Sequence, residues 1–187
     1  IENKNVLKKL ANILGYKKYI VSKGPDKRGI DVAILYNPSS KLKLIRSKEH
    51  RIEGNHFISM PTRSILEVEF DVGGGHKLVT YVNHWPSQRN PSQTRLIASR
   101  NLKKLILKQI KKSSRTRVIA MGDFNTIAKD FPRPIRGVLT EVVEPSMAGE
   151  SLLIDIHKVF LRSGPKVLKN LISRGTYFYV KNMEWNQ

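Results

Sequence analysis

Two polar residues that can act on a phosphate ester, Asp123 and Asn125, directly follow a short apolar segment. Residues 118–121 are Val-Ile-Ala-Met, a run typical of a strand that is buried on both faces, and Gly122 ends it. Residues two apart in an extended segment point to the same side, so we expect Asp123 and Asn125 to face one site together. The alternative is a simple turn, because Asp and Asn are favoured in turns for local hydrogen bonding.

A second apolar segment delivers an imidazole in the same way. Residues 79–83 form a predicted strand that ends at His84, and Trp85 followed by proline then turns the chain. The alternative for a histidine beside a tryptophan is packing. A carboxylate, an amide and an imidazole at strand ends suit the hydrolysis of a phosphate ester, which needs a base for water and donors for the phosphoryl oxygens.

The segments around these residues alternate between helical and extended periodicity. Residues 3–13 carry apolar residues near helical spacing, and Gly15 ends this predicted helix. The other predicted elements are strands over 19–21, 30–36, 42–45, 65–70 and 77–83, an irregular stretch over 47–62, a helix or strand over 154–161, a helix over 167–172 and a strand over 175–180.

Two of the predicted strands form a hairpin. Residues 65–70 alternate around Glu67 and Glu69, which predicts a strand with one solvent-exposed face. The three glycines at 73–75 make a tight connection to the strand over 77–83, so the two strands are expected to pair antiparallel.

The second predicted helix begins at Asn90. Asn90 suits the N-cap, Pro91 the first helical position and Gln93 the third, where it would complete a capping box. Its lysines form either a solvated outer face or a rail for nucleic acid; they are Lys103, Lys104, Lys108, Lys111 and Lys112.

Composition indicates one domain that attracts polyanions. The 187 residues fit a single domain with a sizeable core, and the absence of cysteine excludes disulfides and thiolate metal sites. No apolar run is long enough for a membrane-spanning helix. Thirty-four Lys and Arg against 15 Asp and Glu give a net charge of +19, which attracts nucleic acid, an anionic membrane or polyphosphate. The alternative is charge spread evenly for solubility.

Four stretches of this chain, in this order, resemble the endonuclease/exonuclease/phosphatase superfamily. They are Asp-Lys-Arg-Gly-Ile-Asp-Val-Ala-Ile-Leu-Tyr at 26–36, Arg-Ser-Ile-Leu-Glu-Val at 63–68, Val-Asn-His-Trp-Pro-Ser at 82–87 and Gly-Asp-Phe-Asn at 122–125. The resemblance covers nearly the whole chain and is greatest to a bacterial branch with the Asn-His-Trp-Pro-Ser motif. It implies a single domain over 1–187 with a four-layer α/β/β/α sandwich, in which helices flank two mainly antiparallel sheets.

The resemblance also implies a Mg²⁺ (or Mn²⁺) site with assigned residues. Its catalytic residues would be His84, Asp123 and Asn125, with Asp123 contributing to the metal. Substrate contacts would come from Arg28, Asp31, Arg63, Asn83 and Trp85. Arg63 is otherwise a surface arginine, and Arg28 and Asp31 otherwise form a salt-linked loop. Surface or packing roles are expected for the histidines that match no motif, namely His50, His56, His76 and His157.

Two expected parts of the family pattern do not occur in these residues. The main Glu ligand would stand one position before Ile1, and Glu2 aligns with a second acid that is not the ligand. The usual Ser-Asp-His segment is absent. We therefore expect the domain to be incomplete at both termini, and these 187 residues alone to bind Mg²⁺ weakly and to hydrolyse little.

The resulting functional hypothesis is a metal-dependent phosphodiester hydrolase. Its expected substrate is DNA or RNA, and its reaction is water attack on phosphorus. One alternative is a phosphatase or sphingomyelinase-like phosphoesterase with the same fold. Another is a non-catalytic basic binding module. The sequence leaves the compartment and the oligomeric state open.

Overall fold

The computed structural model describes residues 1–113, 115–126, 130 and 134 of this chain. The helices and strands in this part are α1 (Lys4–Ile13), β1 (Lys18–Val21), β2 (Ala33–Tyr36), β3 (Lys43–His50), α2 (His56–Ser59), β4 (Ile65–Asp71), β5 (Lys77–His84), α3 (Ser92–Lys112) and β6 (Thr116–Asp123). The predictions for His157 and for the segments 154–161, 167–172 and 175–180 lie outside the described residues.

The strands form two sheets. β1 and β2 pair antiparallel, and the larger sheet has the order β3-β4-β5-β6. β3, β4 and β5 pair antiparallel, which confirms the predicted hairpin, whereas β5 and β6 pair parallel. Because the carboxyl ends of parallel neighbours meet at one edge of a sheet, the polar residues after β5 and β6 come together there.

Helices cover the outer face of each sheet. On one side of the larger sheet, β5 packs against α3 through Val79 and Tyr81, which contact the buried face of α3 formed by Ala98, Leu102 and Ile106. On the outer side of the smaller sheet, α1 lies against β1 and buries Leu7 and Ala11.

The core between the two sheets completes the sandwich. Leu66, Val68 and Phe70 of β4 pack there against Val32 and Tyr36, and the rings of Tyr36 and Phe70 meet edge to face at 5.1 Å. Burying a large apolar side chain contributes about 1.5–3 kcal/mol, so this layer fixes the two sheets against each other. The four-layer α/β/β/α prediction is confirmed.

The predicted solvent-exposed face of β4 is wrong. Glu67 and Glu69 are only 3% and 5% exposed, because they lie on the face of the sheet that α3 covers. Arg46 of β3 pairs with both carboxylates at 2.8 Å and 2.6 Å. His50 and Gln109 bond Glu67 as well. Glu67 and Glu69, which alternate with apolar residues along β4, therefore belong to a buried ionic network.

Three boundaries differ from the prediction. β3 extends to residue 50 and takes in the start of the stretch predicted to be irregular. β6 runs over 116–123 and is half-buried at nearly every position; β5 is its only strand neighbour among the described residues. α3 begins at Ser92 with Pro91 in the N-cap position, and the Asn90 side chain bonds Ser87 in place of the helix. The predicted capping box is therefore wrong.

In the described part of the chain, no helix is long and apolar enough to span a membrane. The lysines of α3 are mostly exposed and lie toward its C-terminal end. The C-terminal end of α3 leads into the start of β6, and this lies at the opposite end of the sheet from His84. The position of the lysines therefore agrees with a solvated outer face.

Candidate active site

Gly122 allows β5 and β6 to bring a histidine and an aspartate side by side. In the parallel register, Asn83 lies opposite Gly122 and His84 opposite Asp123. Gly122 has φ +124, and a Cβ at this position would lie 2.0 Å from the Asn83 carbonyl oxygen. Only glycine fits such an approach, so the pairing of His84 with Asp123 depends on it.

Asp123 and Asn125 are joined by a tight turn. The Asn125 backbone N–H donates to Asp123 Oδ1 at 2.9 Å, and Asn125 has φ +49. The chain is therefore not extended here, and the argument from strand alternation is wrong, because a left-handed residue ends the two-residue period. The turn instead folds Asn125 back onto β5, where its Nδ2 donates to the Trp85 carbonyl oxygen at 2.8 Å.

Arg63 holds the chain at the exit of β5. Its Nε donates to the His84 carbonyl oxygen at 3.1 Å and its Nη2 to the Trp85 carbonyl oxygen at 2.6 Å. Its Nη1 donates to Asp26 at 3.1 Å, and the residue is 4% exposed. Arg63 is therefore not a surface arginine, since all three of its guanidinium nitrogens bind groups within the fold. Its contact with a substrate phosphate stays a prediction.

Asn83 and Trp85 also support the site from below. Asn83 is 1% exposed; its Nδ2 donates to the carbonyl oxygens of Tyr81 and Met121, and its Oδ1 accepts from Trp85 Nε1. Trp85 is fully buried and packs edge to face on Phe124 at 4.9 Å. The polar atoms of these two side chains therefore fasten β5 to β6, and their contact with a substrate stays a prediction.

His84 and Asp123 line an open cavity of about 320 Å³ together with residues of α1 and β2, among them Leu7 and Ala33. Asp31 lines the same cavity, and its Oδ1 accepts from Ser22 Oγ and Gly24 N–H, both at 2.9 Å. Asp31 thus braces its loop and also lines the cavity, and its contact with a substrate stays a prediction. The remaining lining is largely apolar, and the cavity is open to solvent.

The imidazole of His84 is neutral at neutral pH. The pKa of His84 is lowered to about 4, mainly by burial. The positive charge of Arg63 also lowers this pKa, and its effect is larger than the opposing effect of the Asp123 carboxylate. A neutral imidazole can donate one hydrogen bond and accept another. It can therefore contact a phosphoryl oxygen without first gaining a proton.

Asp26 is a site residue that the sequence analysis missed. Its buried carboxylate accepts a hydrogen bond from Arg63 on one side. On the other side it accepts two from Arg28, one from Nε at 3.1 Å and one from Nη2 at 2.8 Å. Hydrogen bonds from Arg28 hold the pKa of Asp26 well below its usual range, against the opposing effect of burial. Arg28 thus does form a salt link, as the alternative hypothesis held, and its side chain remains 62% exposed.

Arg95 was missed as well. The residue is 2% exposed, and its guanidinium forms a bidentate pair with Asp130 at 2.9 Å and 2.6 Å. It also donates to Gln88, whose amide in turn donates to the Asn125 carbonyl oxygen. Its spacing from the buried Ala98 and Leu102 places it on the inner face of α3, and an arginine on such a face is a signal for a buried ion pair.

Two of the other histidines have the roles expected of them, since His56 packs edge to face on Phe57 and His76 is exposed. His50 has a different role, because it bonds Glu67 in the buried ionic network.

The site can supply one carboxylate to a divalent cation. Among the described residues, no group of three or more His, Asp or Glu side chains could hold a metal. Mg²⁺ does not require such a group, because it keeps several waters and is commonly bound through one or two carboxylates and substrate oxygens. Asp123, at the mouth of the cavity, fits that role.

Comparisons with known proteins agree with this fold. A sequence model described as the endonuclease/exonuclease/phosphatase family matches residues 1–155. No curated protein matches the chain. Similar solved structures include truncated TDP2 from Caenorhabditis elegans, with 17% identity, a TM-score of 0.54, and 68% of this chain and 47% of that one covered.

Two further structures carry bound molecules. TDP2 from D. rerio, complexed with a single-strand DNA product, is 20% identical with a TM-score of 0.50, covering 73% of this chain and 49% of that one. ANGEL2, a 2′,3′-cyclic phosphatase in complex with adenosine-2′,3′-vanadate, is 14% identical with a TM-score of 0.53, covering 66% and 36%. This chain spans less than half the length of these three structures. At such identities the likeness establishes the fold alone.

Proposed function

Because this chain belongs to the endonuclease/exonuclease/phosphatase family, we propose that it is a metal-dependent phosphodiester hydrolase whose substrate is DNA or RNA. The observation that carries the proposal is the pairing of a neutral His84 with Asp123 at the carboxyl ends of two parallel strands, beside an open cavity. This edge joins a base and a hydrogen-bond donor within reach of one phosphate group.

The chemistry requires water to attack a phosphorus atom whose oxygens are negatively charged. The Asp123 carboxylate orients the attacking water and accepts its proton. As the new P–O bond forms, the bond from phosphorus to the leaving alcohol breaks, and the leaving oxygen takes a proton from solvent water. The neutral His84 imidazole donates to a non-bridging oxygen. Asn125 uses one amide hydrogen on Trp85, and the second can reach another phosphoryl oxygen. Mg²⁺ (or Mn²⁺), held by Asp123 together with water and substrate oxygens, would neutralise charge on the phosphoryl group.

Two observations support nucleic acid as the substrate class. The net charge of +19 attracts a polyanion over long range. A similar structure, TDP2 from D. rerio, is complexed with a single-strand DNA product.

A phosphatase or another phosphoesterase on the same fold is the second candidate. It is favoured by the likeness to ANGEL2, which is described as a 2′,3′-cyclic phosphatase. The two candidates share the roles of His84 and Asp123 and differ in what the rest of the surface contacts.

The test is hydrolysis by the product of the full gene. We would supply plasmid DNA, bis-p-nitrophenyl phosphate and sphingomyelin, each with Mg²⁺ and with excess EDTA. The proposal predicts cleavage of DNA that EDTA abolishes. Turnover of sphingomyelin or a small phosphoester with no action on DNA would support the second candidate. No hydrolysis of any of the three would contradict the proposal and favour a non-catalytic binding module.

A further inference from the structure

Arg28 is an exposed arginine that the fold holds in one position. Its backbone N–H donates to Asp26 Oδ1 at 2.9 Å, and its Nε and Nη2 bind the same carboxylate. Yet the side chain is 62% exposed. An exposed arginine normally samples many rotamers, so holding it in one conformation costs side-chain entropy. A solvated arginine held by three hydrogen bonds is therefore pre-organised for an external ligand.

The buried carboxylate of Asp26 is shared between two arginines. Arg63 binds it from the protein interior at 3.1 Å, and Arg28 binds it from the surface. One carboxylate between two guanidiniums leaves a positive charge on the outer side. Arg28 Nη1 makes no hydrogen bond within the described ranges 1–113 and 115–126. Its N–H groups form part of a planar fork that matches phosphate oxygens.

A continuous chain of contacts links this arginine to the candidate active site. Asp26 binds Arg63, and Arg63 binds the carbonyl oxygens of His84 and Trp85. The charge of Arg28 also disfavours protonation of His84, so the guanidinium lies within electrostatic range of the imidazole. Arg28 therefore keeps a fixed position relative to His84.

We propose that the Asp26–Arg28 pair is a subsite for the phosphate that flanks the cleaved one in a polynucleotide. Arg28 contacts the flanking phosphate, and Asp26 is the positioning residue that fixes it. The inference rests on the proposed function and restricts its substrate class. It favours a polynucleotide over a single phosphoester, because the Arg28 guanidinium can bind only a substrate that carries a second phosphate.

The experiment compares two substrates in the product of the full gene. One is a single-stranded DNA oligonucleotide, and the other is bis-p-nitrophenyl phosphate, which has no flanking phosphate. We expect Arg28→Gln to lower the ratio of kcat/KM for the oligonucleotide to kcat/KM for the small diester by about tenfold, the usual effect of losing a charge-assisted hydrogen bond. Arg28→Lys keeps the charge without the fork and should lose most of the same ratio.

Lys27→Gln is the matched control, since it removes one positive charge from the adjacent exposed position. It should change the ratio less than threefold. Equal effects of Arg28→Gln and Lys27→Gln would overturn the subsite, because they would show general charge attraction. An unchanged ratio in Arg28→Gln would overturn it too.

Binding in EDTA separates this proposal from the proposed function. Fluorescence anisotropy with the labelled oligonucleotide needs no turnover. Arg28→Gln should reduce the slope of log K against log salt by about 0.7, the value for one phosphate contact on a single strand, and Lys27→Gln should reduce it less. If the two variants differ in this slope and no hydrolysis is found, the phosphate subsite is supported and the hydrolase function is rejected. If hydrolysis is found and the two variants have equal slopes, the hydrolase function is supported and the subsite is rejected.

Discussion

Gly122→Ala should destabilise the protein far more than an ordinary glycine replacement. The new Cβ would lie 2.0 Å from the Asn83 carbonyl oxygen and 2.8 Å from its carbonyl carbon and nitrogen. All three are backbone atoms of β5, so no side-chain rotation relieves the clash. The strand itself must move away from β6.

The magnitude follows from two contributions. A positive φ costs a residue with a Cβ about 1–2 kcal/mol. Moving β5 from β6 breaks ladder hydrogen bonds, each with a net value of about 1 kcal/mol, and the loss of two brings the total to about 3–4 kcal/mol. Gly73→Ala isolates the first contribution, because Gly73 has φ +84 and no described atom lies within 4 Å of its added Cβ. That control should lose about 1–2 kcal/mol.

Equilibrium unfolding in urea, followed by tryptophan fluorescence, measures both variants. Trp85 packs fully buried against Phe124 and reports directly on this edge of the sheet. The reasoning predicts that Gly122→Ala loses at least about 1.5 kcal/mol more than Gly73→Ala. If the two variants lose the same free energy of unfolding within error, the close approach of β5 and β6 is not the reason why residue 122 is glycine.

Two further predictions concern buried charges. Burial raises the pKa of Glu67, but the bond from His50 and the charge of Arg46 outweigh it and lower the pKa to about 2 from 4.5. The stability from this pairing is therefore present above pH 4.5 and is lost as the pH falls toward 2, so Glu67→Gln should flatten the stability–pH curve in that window in acid-unfolding experiments. Arg95→Met leaves Asp130 buried without its guanidinium and should cost about 3–5 kcal/mol in urea unfolding, whereas a loss below about 1 kcal/mol would contradict the bidentate pair.

The individual strands and the location of the site were predictable from local sequence patterns, whereas the four layers were expected only from the resemblance to the family. Alternation over 65–70 and the three glycines at 73–75 specified the hairpin, and the apolar run at 118–121 predicted a strand; its parallel pairing with β5 came from the structure. Two strands that end in polar residues then place His84 beside Asp123 whenever their carboxyl ends share an edge.

The misassigned residues depend on partners far away in the sequence. Glu67 looks exposed in a two-residue pattern, and its burial becomes possible only because Arg46 and Gln109 approach it from a neighbouring strand and from α3. Arg63 could be a surface arginine from the sequence alone, yet its bond to Asp26 holds it in the protein interior. Periodicity predicts the direction in which a side chain points. It does not predict whether a residue of opposite charge lies close enough to pair with that side chain.

The turn at Asp123 was missed for a different reason. Strand periodicity was extended one residue too far, past the position where a left-handed Asn125 reverses the chain. The same Asx-turn chemistry that supported the alternative hypothesis fixes the geometry of the site. A local turn and a catalytic role are therefore compatible at Asp123.

The most direct test of the site compares Asp123→Ala with Asp71→Ala. Both aspartates end a strand of the same sheet and accept, through Oδ1, from the backbone N–H two residues on, at 2.9 Å and 2.8 Å. Asp71 lies at the opposite end of the sheet, so the pair separates the loss of a turn from the loss of the site.

The measurement is Mg²⁺-dependent cleavage of plasmid DNA by the product of the full gene carrying each change, with circular dichroism as the check on folding. We predict that Asp123→Ala lowers the rate by at least about a hundredfold while DNA binding is largely kept, and that Asp71→Ala stays within about threefold. A folded Asp123→Ala variant that cleaves DNA as fast as Asp71→Ala would contradict the account.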